Sequence, residues 1–132
     1  MQTPLEKYFA LRVKNLFNHL HDFELTADDT SMHDLRVEMK KMKSVLRFLR
    51  NIYPAQSLKK PAHLLGNIFQ HAGEIREYQL LQQWLKKHEL TAIQKVYFPK
   101  EQLQNLINDF RSKALQYKND LNEVIEQISK YV

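Results

Sequence analysis

The sequence predicts an all-α protein, an antiparallel bundle of four main helices forming one domain, and three observations carry that prediction. The 132 residues include only two glycines and four prolines, too few breakers for the turns of a sheet protein. Apolar residues recur at three- and four-residue spacing through most of the chain, the period of a helix with one buried face. The length suits a single core and is too short to divide comfortably into two.

Each element follows from its local signals. Pro4 fits a first helical turn, and Leu5, Tyr8, Phe9, Val13, Leu16, Phe17, Leu20 and Phe23 extend helix one to about Leu25. The polar segment TADDTS turns the chain, and Ser31 with Asp34 three residues on reads as the start of helix two, running to about Tyr53 before Pro54. Pro61 opens helix three, whose periodic residues Leu65, Phe69, Ala72, Ile75 and Trp84 carry it to about Lys87. HELTAIQKVYFPK, residues 88–100, reads as a loop that carries at most a short helix. One helix then runs from Pro99, with Leu103, Leu106, Ile107, Phe110, Leu115, Leu121, Val124, Ile125 and Ile128 on its inner face.

Composition narrows the function. Cysteine is absent, which removes disulfides, thiolate metal ligation and cysteine nucleophiles. Charges at Glu6, Lys7, Arg12 and Lys14 interrupt the N-terminal region, so a signal peptide or membrane span is not expected and a soluble cytoplasmic protein is. A formal net charge of +5 favours anionic partners without identifying one.

The distribution of that charge is more informative. With each helical residue advancing about 100°, Leu35, Met39, Met42, Leu46 and Leu49 fall between about 160° and 240° relative to His33. His33, Arg36, Lys40, Lys43, Arg47 and Arg50 fall between about 260° and 360°, a continuous basic band beside the apolar stripe; Lys41 alone points elsewhere. Glu38 lies on another side, so acids on the same helix satisfy little of the band. On helix three, Leu65, Phe69, Ala72, Arg76, Gln79 and Gln83 follow one seam at alternating spacings of four and three, which turns Arg76 inward. A guanidinium there needs a partner. Glu74, Glu77 or an acid on another helix would serve, and so would an external anion shared with the basic band. That anion would be an acidic protein face, a nucleic acid or a phosphate-rich small molecule; spacing alone does not choose.

The stretch MHDLRVEMKKMKSVLRFLR resembles the opening signature of the CHAD domain, the conserved histidine α-helical domain: a His, an Arg three residues on, and a basic cluster, here His33, Arg36, Lys40, Lys41 and Lys43. AGEIREYQLL resembles the family's second signature, with Gly73 and Arg76 in place. The resemblance implies a helical bundle equivalent to one half of a CHAD domain, and non-enzymatic binding of inorganic polyphosphate in a basic cavity. It points to Arg36, Lys40, Lys43 and Arg76 as phosphate contacts, with His33 at the cavity's end; Arg47 extends the band by angle alone. Family members usually carry two such halves, so a homodimer would rebuild the pair. Lys at several of the family's Arg positions keeps charge but gives up bidentate geometry, and the family's acidic pair after the second Arg appears here as Glu77 and Gln79. The resemblance also associates the protein with polyphosphate granules.

Other chemistry finds less support. His19 and His21 fall on different helix faces, and His63, His71 and His88 lack the three- or four-residue spacing of paired helical ligands, so no metal site and no cofactor is expected. No Gly-rich phosphate loop, GK[ST] or nucleophile elbow occurs, and a binding module is favoured over an enzyme. The rival readings are a nucleic-acid or acidic-protein binder using the same band, and a structural bundle whose cations pair with Asp109, Asp120 or Glu123.

Overall fold

The computed structural model describes residues 2–53, 56–90 and 100–132. Among these the secondary structure is entirely helical: α1 (Pro4–Thr26), α2 (Asp29–Ile52), a 3-10 turn (Gln56–Leu58), α3 (Lys59–Lys87), α4 (Lys100–Ser112) and α5 (Ala114–Ser129). Of the loop or short helix expected over residues 88–100, residues 91–99 lie outside the described residues, and Lys100 opens α4.

Local chemistry sets the helix ends. Thr3 caps α1 by accepting from the Glu6 amide at 3.1 Å, and Pro4 occupies the first turn. α1 stops at Ala27, which adopts φ 53° and donates its N–H to the Phe23 carbonyl at 2.8 Å. This left-handed residue lets the chain reverse within two residues. The expected start of α2 at Ser31 is corrected: Asp28 is the cap, its carboxylate accepting from the Ser31 amide at 2.7 Å, and Ser31 is buried inside the first turn. The bond to Ser31 lowers the pKa of Asp28. The Ser31 hydroxyl is engaged elsewhere, donating to the Asp28 carbonyl at 3.1 Å and lying 3.2 Å from Thr26 Oγ1, so it does not cap the amides that follow.

The single helix expected after Pro99 is two, so the described residues hold five α-helices rather than four. The break lies at Lys113, whose N–H is shared between the Asp109 and Phe110 carbonyls, each at 3.2 Å. Ser112 Oγ donates back to the Asp109 carbonyl at 2.7 Å, a bond that competes with the backbone and bends helices. The buried stripe nevertheless continues through it at three- and four-residue spacing, from Ile107 and Phe110 to Ala114, Tyr117, Leu121, Val124 and Ile128. Leu115, expected inside, is 72% exposed, while Ala114 and Tyr117 take the buried positions. Trp84 on α3 is likewise exposed, and its neighbour Leu85 is buried.

α2 packs between α1 and α3, and α3 packs in turn on α5 and α4. The core gathers Leu16, Leu20 and Phe23 of α1, the predicted stripe of α2, Leu65 and Ile68 of α3, and Leu121 and Val124 of α5. Phe23 meets Phe110 edge to face at 5.4 Å between ring centres. One buried ion pair crosses the α1–α2 interface, where Arg12 Nη1 donates to both Glu38 carboxylate oxygens. Lys41, the cation that falls off the basic band, lies 3.6 Å from the same carboxylate. With its core stripe facing inward, α2 presents the basic band beside α3.

Candidate functional site

The site is built on the α2–α3 interface. The α2 stripe is buried from Leu35 to Leu49, which fixes the helix's rotation and leaves Arg36 and Lys43 half-buried and His33, Lys40, Arg47 and Arg50 exposed. Facing them, the predicted α3 seam is inward through Gln79: Leu65, Ala72 and Gln79 are buried, and Phe69 and Arg76 are half-buried. Gln83 leaves the seam for the surface and donates to the Asp29 carboxylate.

Two ridge cations converge on one ring. The Arg36 guanidinium carbon lies 4.7 Å from the centre of the Phe69 ring and the Lys43 ammonium 4.5 Å from it, within cation–π range. Arg36 also crosses Gly73, where a β-carbon would sit 3.7 Å from Nη2. Its Nε is buried without a hydrogen-bond partner. Burial lowers the Arg36 pKa, the Arg76 charge lowers it further, and Glu77 acts in the opposite sense. Arg76 donates from Nη1 to the Asp29 carbonyl at 3.5 Å, a long contact that supplies no counter-charge.

Past Lys43 the ridge forms one wall of an open cleft of about 370 Å³, lined by Lys43, Leu46, Arg47, Arg50 and Asn51 of α2 and Ala62 of α3. Arg36, Lys40, Lys43 and Arg47 thus share one surface, and Arg76 flanks its Arg36 end. His33 lies at the N-terminal end of that surface, without a hydrogen bond or ion pair among the described residues.

Counter-charge is the deciding feature. Among the described residues no carboxylate lies within 4.0 Å of Arg36, Lys40, Lys43, Arg47, Arg50 or Arg76. The acids weighed as partners are otherwise placed: Glu123 bonds Lys60 at 2.7 Å, Asp109 holds Lys113 at 3.3 Å, and neither Glu74 nor Glu77 pairs with Arg76. Among the described residues the ridge cations have no carboxylate in ion-pair contact, while Arg12, Lys41, Lys60, Lys113 and Lys118 are paired. Such a surface offers a band of positive potential to an anion.

Sequence reasoning missed two contributors. Asn51 joins the cleft and Phe69 the cations; the α3 seam placed Phe69 inward, but which side chains it meets depends on how α2 and α3 pack. A further cluster lies on the far side of α3, where His71 Nδ1 and the Tyr117 hydroxyl are 2.6 Å apart and His71 Nε2 is 3.6 Å from Asp109. These groups line a separate cleft of about 290 Å³ with Glu74 and Lys113. Among the described residues no three His, Asp or Glu side chains gather to hold a metal ion, and no helix is long and apolar enough to cross a membrane.

No curated protein and no solved structure matches the chain. The family model described as CHAD domain does, over residues 7–127, a span that includes the whole of α2 with its ridge and the whole of α3 with Phe69, Gly73 and Arg76. The chain belongs to the CHAD domain family.

Proposed function

We propose that this chain binds inorganic polyphosphate along the α2 ridge, through Arg36, Lys40, Lys43 and Arg47, with Arg76 flanking the Arg36 end and His33 at the N-terminal limit. The observation that carries the reading is the absence of any carboxylate partner for the ridge cations and Arg76 among the described residues. A half-buried guanidinium beside a second one is costly unless an anion arrives. Cations recurring every three or four residues offer a charge roughly every 5 to 6 Å along the helix, which suits a linear polyanion with a charge on every unit. Membership of the CHAD family supports the same ligand.

The reading is of one non-enzymatic binding domain, cytoplasmic and associated with polyphosphate granules, that acts as a homodimer. Light scattering at micromolar concentration tests the last point, and a monomer there rejects it.

Capture on polyphosphate beads at two salt concentrations, with excess duplex DNA as competitor, tests the ligand. Retention that survives DNA at physiological salt and weakens steeply with added salt is expected. Arg36→Glu combined with Lys40→Glu should abolish it, and unchanged retention by that variant would show the site to be wrong. Displacement by DNA would instead favour a nucleic-acid binder.

A further inference from the structure

Arg36 and Lys43 are seven residues apart on α2, and between them in sequence and on the ridge stands Lys40. Like charges on one ridge repel, and long side chains left to themselves spread into solvent. Here two of the three turn onto the same half-buried aromatic ring of the neighbouring helix, at 4.7 Å and 4.5 Å from its centre. From this we infer that Phe69 is a positioning residue for polyanion binding: its ring holds Arg36 and Lys43 in place before the ligand arrives.

The choice of a ring has a physical rationale. A carboxylate at this position would order the same two side chains but neutralise them, and the incoming phosphate would have to displace it. A phenyl ring attracts cations through its quadrupole and carries no net charge, so Arg36 and Lys43 are ordered while their charges stay available. Ordering flexible side chains in advance removes an entropy cost from the binding step. Phe69 is anchored for this role, since it packs against the hydrophobic core. Its place also joins two regions of the ridge, because Arg36 adjoins Arg76 and Gly73 whereas Lys43 opens the cleft with Arg47 and Arg50.

The inference rests on the polyphosphate reading, and its test separates the two. Polyphosphate affinity is measured by titration calorimetry for the wild type, Phe69→Leu, Phe69→Tyr and a chain carrying pentafluorophenylalanine at position 69. The fluorinated ring keeps the shape of phenylalanine but reverses the sign of its face potential, so packing alone would not register the change. Phe69→Leu and the fluorinated ring should weaken binding roughly threefold to tenfold, and Phe69→Tyr should bind within about twofold of wild type. Circular dichroism confirms that each variant is folded; should Phe69→Leu fail to fold, the fluorinated and tyrosine chains decide. Wild-type affinity in the folded fluorinated chain would overturn the role of Phe69 and leave the polyphosphate reading standing. A wild type that fails to bind at low salt would overturn both.

Discussion

Arg12 donates from a single nitrogen to both carboxylate oxygens of Glu38, at 3.1 and 3.2 Å, with both side chains almost wholly buried between α1 and α2. Every other ion pair among the described residues has at least one partner open to solvent, so this one bears most directly on stability. Removing Arg12 leaves the buried Glu38 carboxylate only the longer contacts of Lys41 at 3.6 Å and Asn15 at 3.5 Å, and Arg12→Met should cost about 3 kcal/mol. Replacing both, Arg12→Met with Glu38→Leu, should recover most of that loss. Urea denaturation of the two single variants and the double variant measures the coupling.

Arg36 is the opposite case, a half-buried guanidinium with no carboxylate within 4.0 Å among the described residues, where the charge of Glu77 acts on it only from farther away. Bound polyanion should therefore stabilise the fold, by about 2.7 kcal/mol at a free ligand concentration of one hundred times Kd. Arg36→Gln should leave the unliganded thermal midpoint unchanged or higher and shrink the ligand-induced rise. Differential scanning fluorimetry with and without polyphosphate checks both.

Backbone conformation predicts opposite substitutions at two sites. Gly66 lies within α3 with open space where a β-carbon would project, so Gly66→Ala should stabilise by about 0.8 kcal/mol. Ala27 sits at φ 53°, where glycine carries no steric penalty, so Ala27→Gly should stabilise by up to about 1 kcal/mol. Paired denaturation curves test the two signs.

The buried face of α5 is testable by contrast. Leu115→Gln should change stability by less than about 0.5 kcal/mol, because the side chain is 72% exposed. Leu121→Ala empties a fully packed position and should cost about 3 kcal/mol. Equal losses would place Leu115 in the core after all.

Tyr117 gives a pH dependence. Burial raises its pKa, and the charges of Asp109, Asp120 and Glu74 raise it further. A raised folded value means that its contribution to stability is fully present below the ordinary tyrosine pKa of about 10 and is lost as pH rises through the folded value. Tyr117→Phe has no hydroxyl to ionise and gives up the contact with His71. The wild type should be the more stable at neutral pH, and the gap should close in alkaline solution when denaturation is followed across that range.

Much of the fold was legible because its causes are local. Helical spacing placed α1, α2 and α3 to within a few residues, and the wheel drawn on α2 separated a buried stripe from a basic band as the structure does. Helix ends and single inward positions were less legible, because they turn on individual hydrogen bonds and on packing. Ser31 was read as the start of α2, but the Asp28 carboxylate takes the Ser31 amide while the Ser31 hydroxyl returns to the Asp28 carbonyl. The break at Lys113 comes with a hydroxyl returning to a carbonyl, whereas Leu115 was misplaced because its apolar side chain was read as inward although the buried period of Phe110, Ala114, Tyr117 and Leu121 passes it by.

The site divides along the same line. Spacing alone was enough to say which cations share a face of α2 and that Arg76 turns inward on α3, because both follow from residues a few positions apart on one helix. That no acid comes to meet them among the described residues, and that Phe69 receives Arg36 and Lys43, emerged only once the helices were packed. Partners on different helices are chosen by the rotation and offset at which whole helices pack, and that geometry is set by the core as a unit.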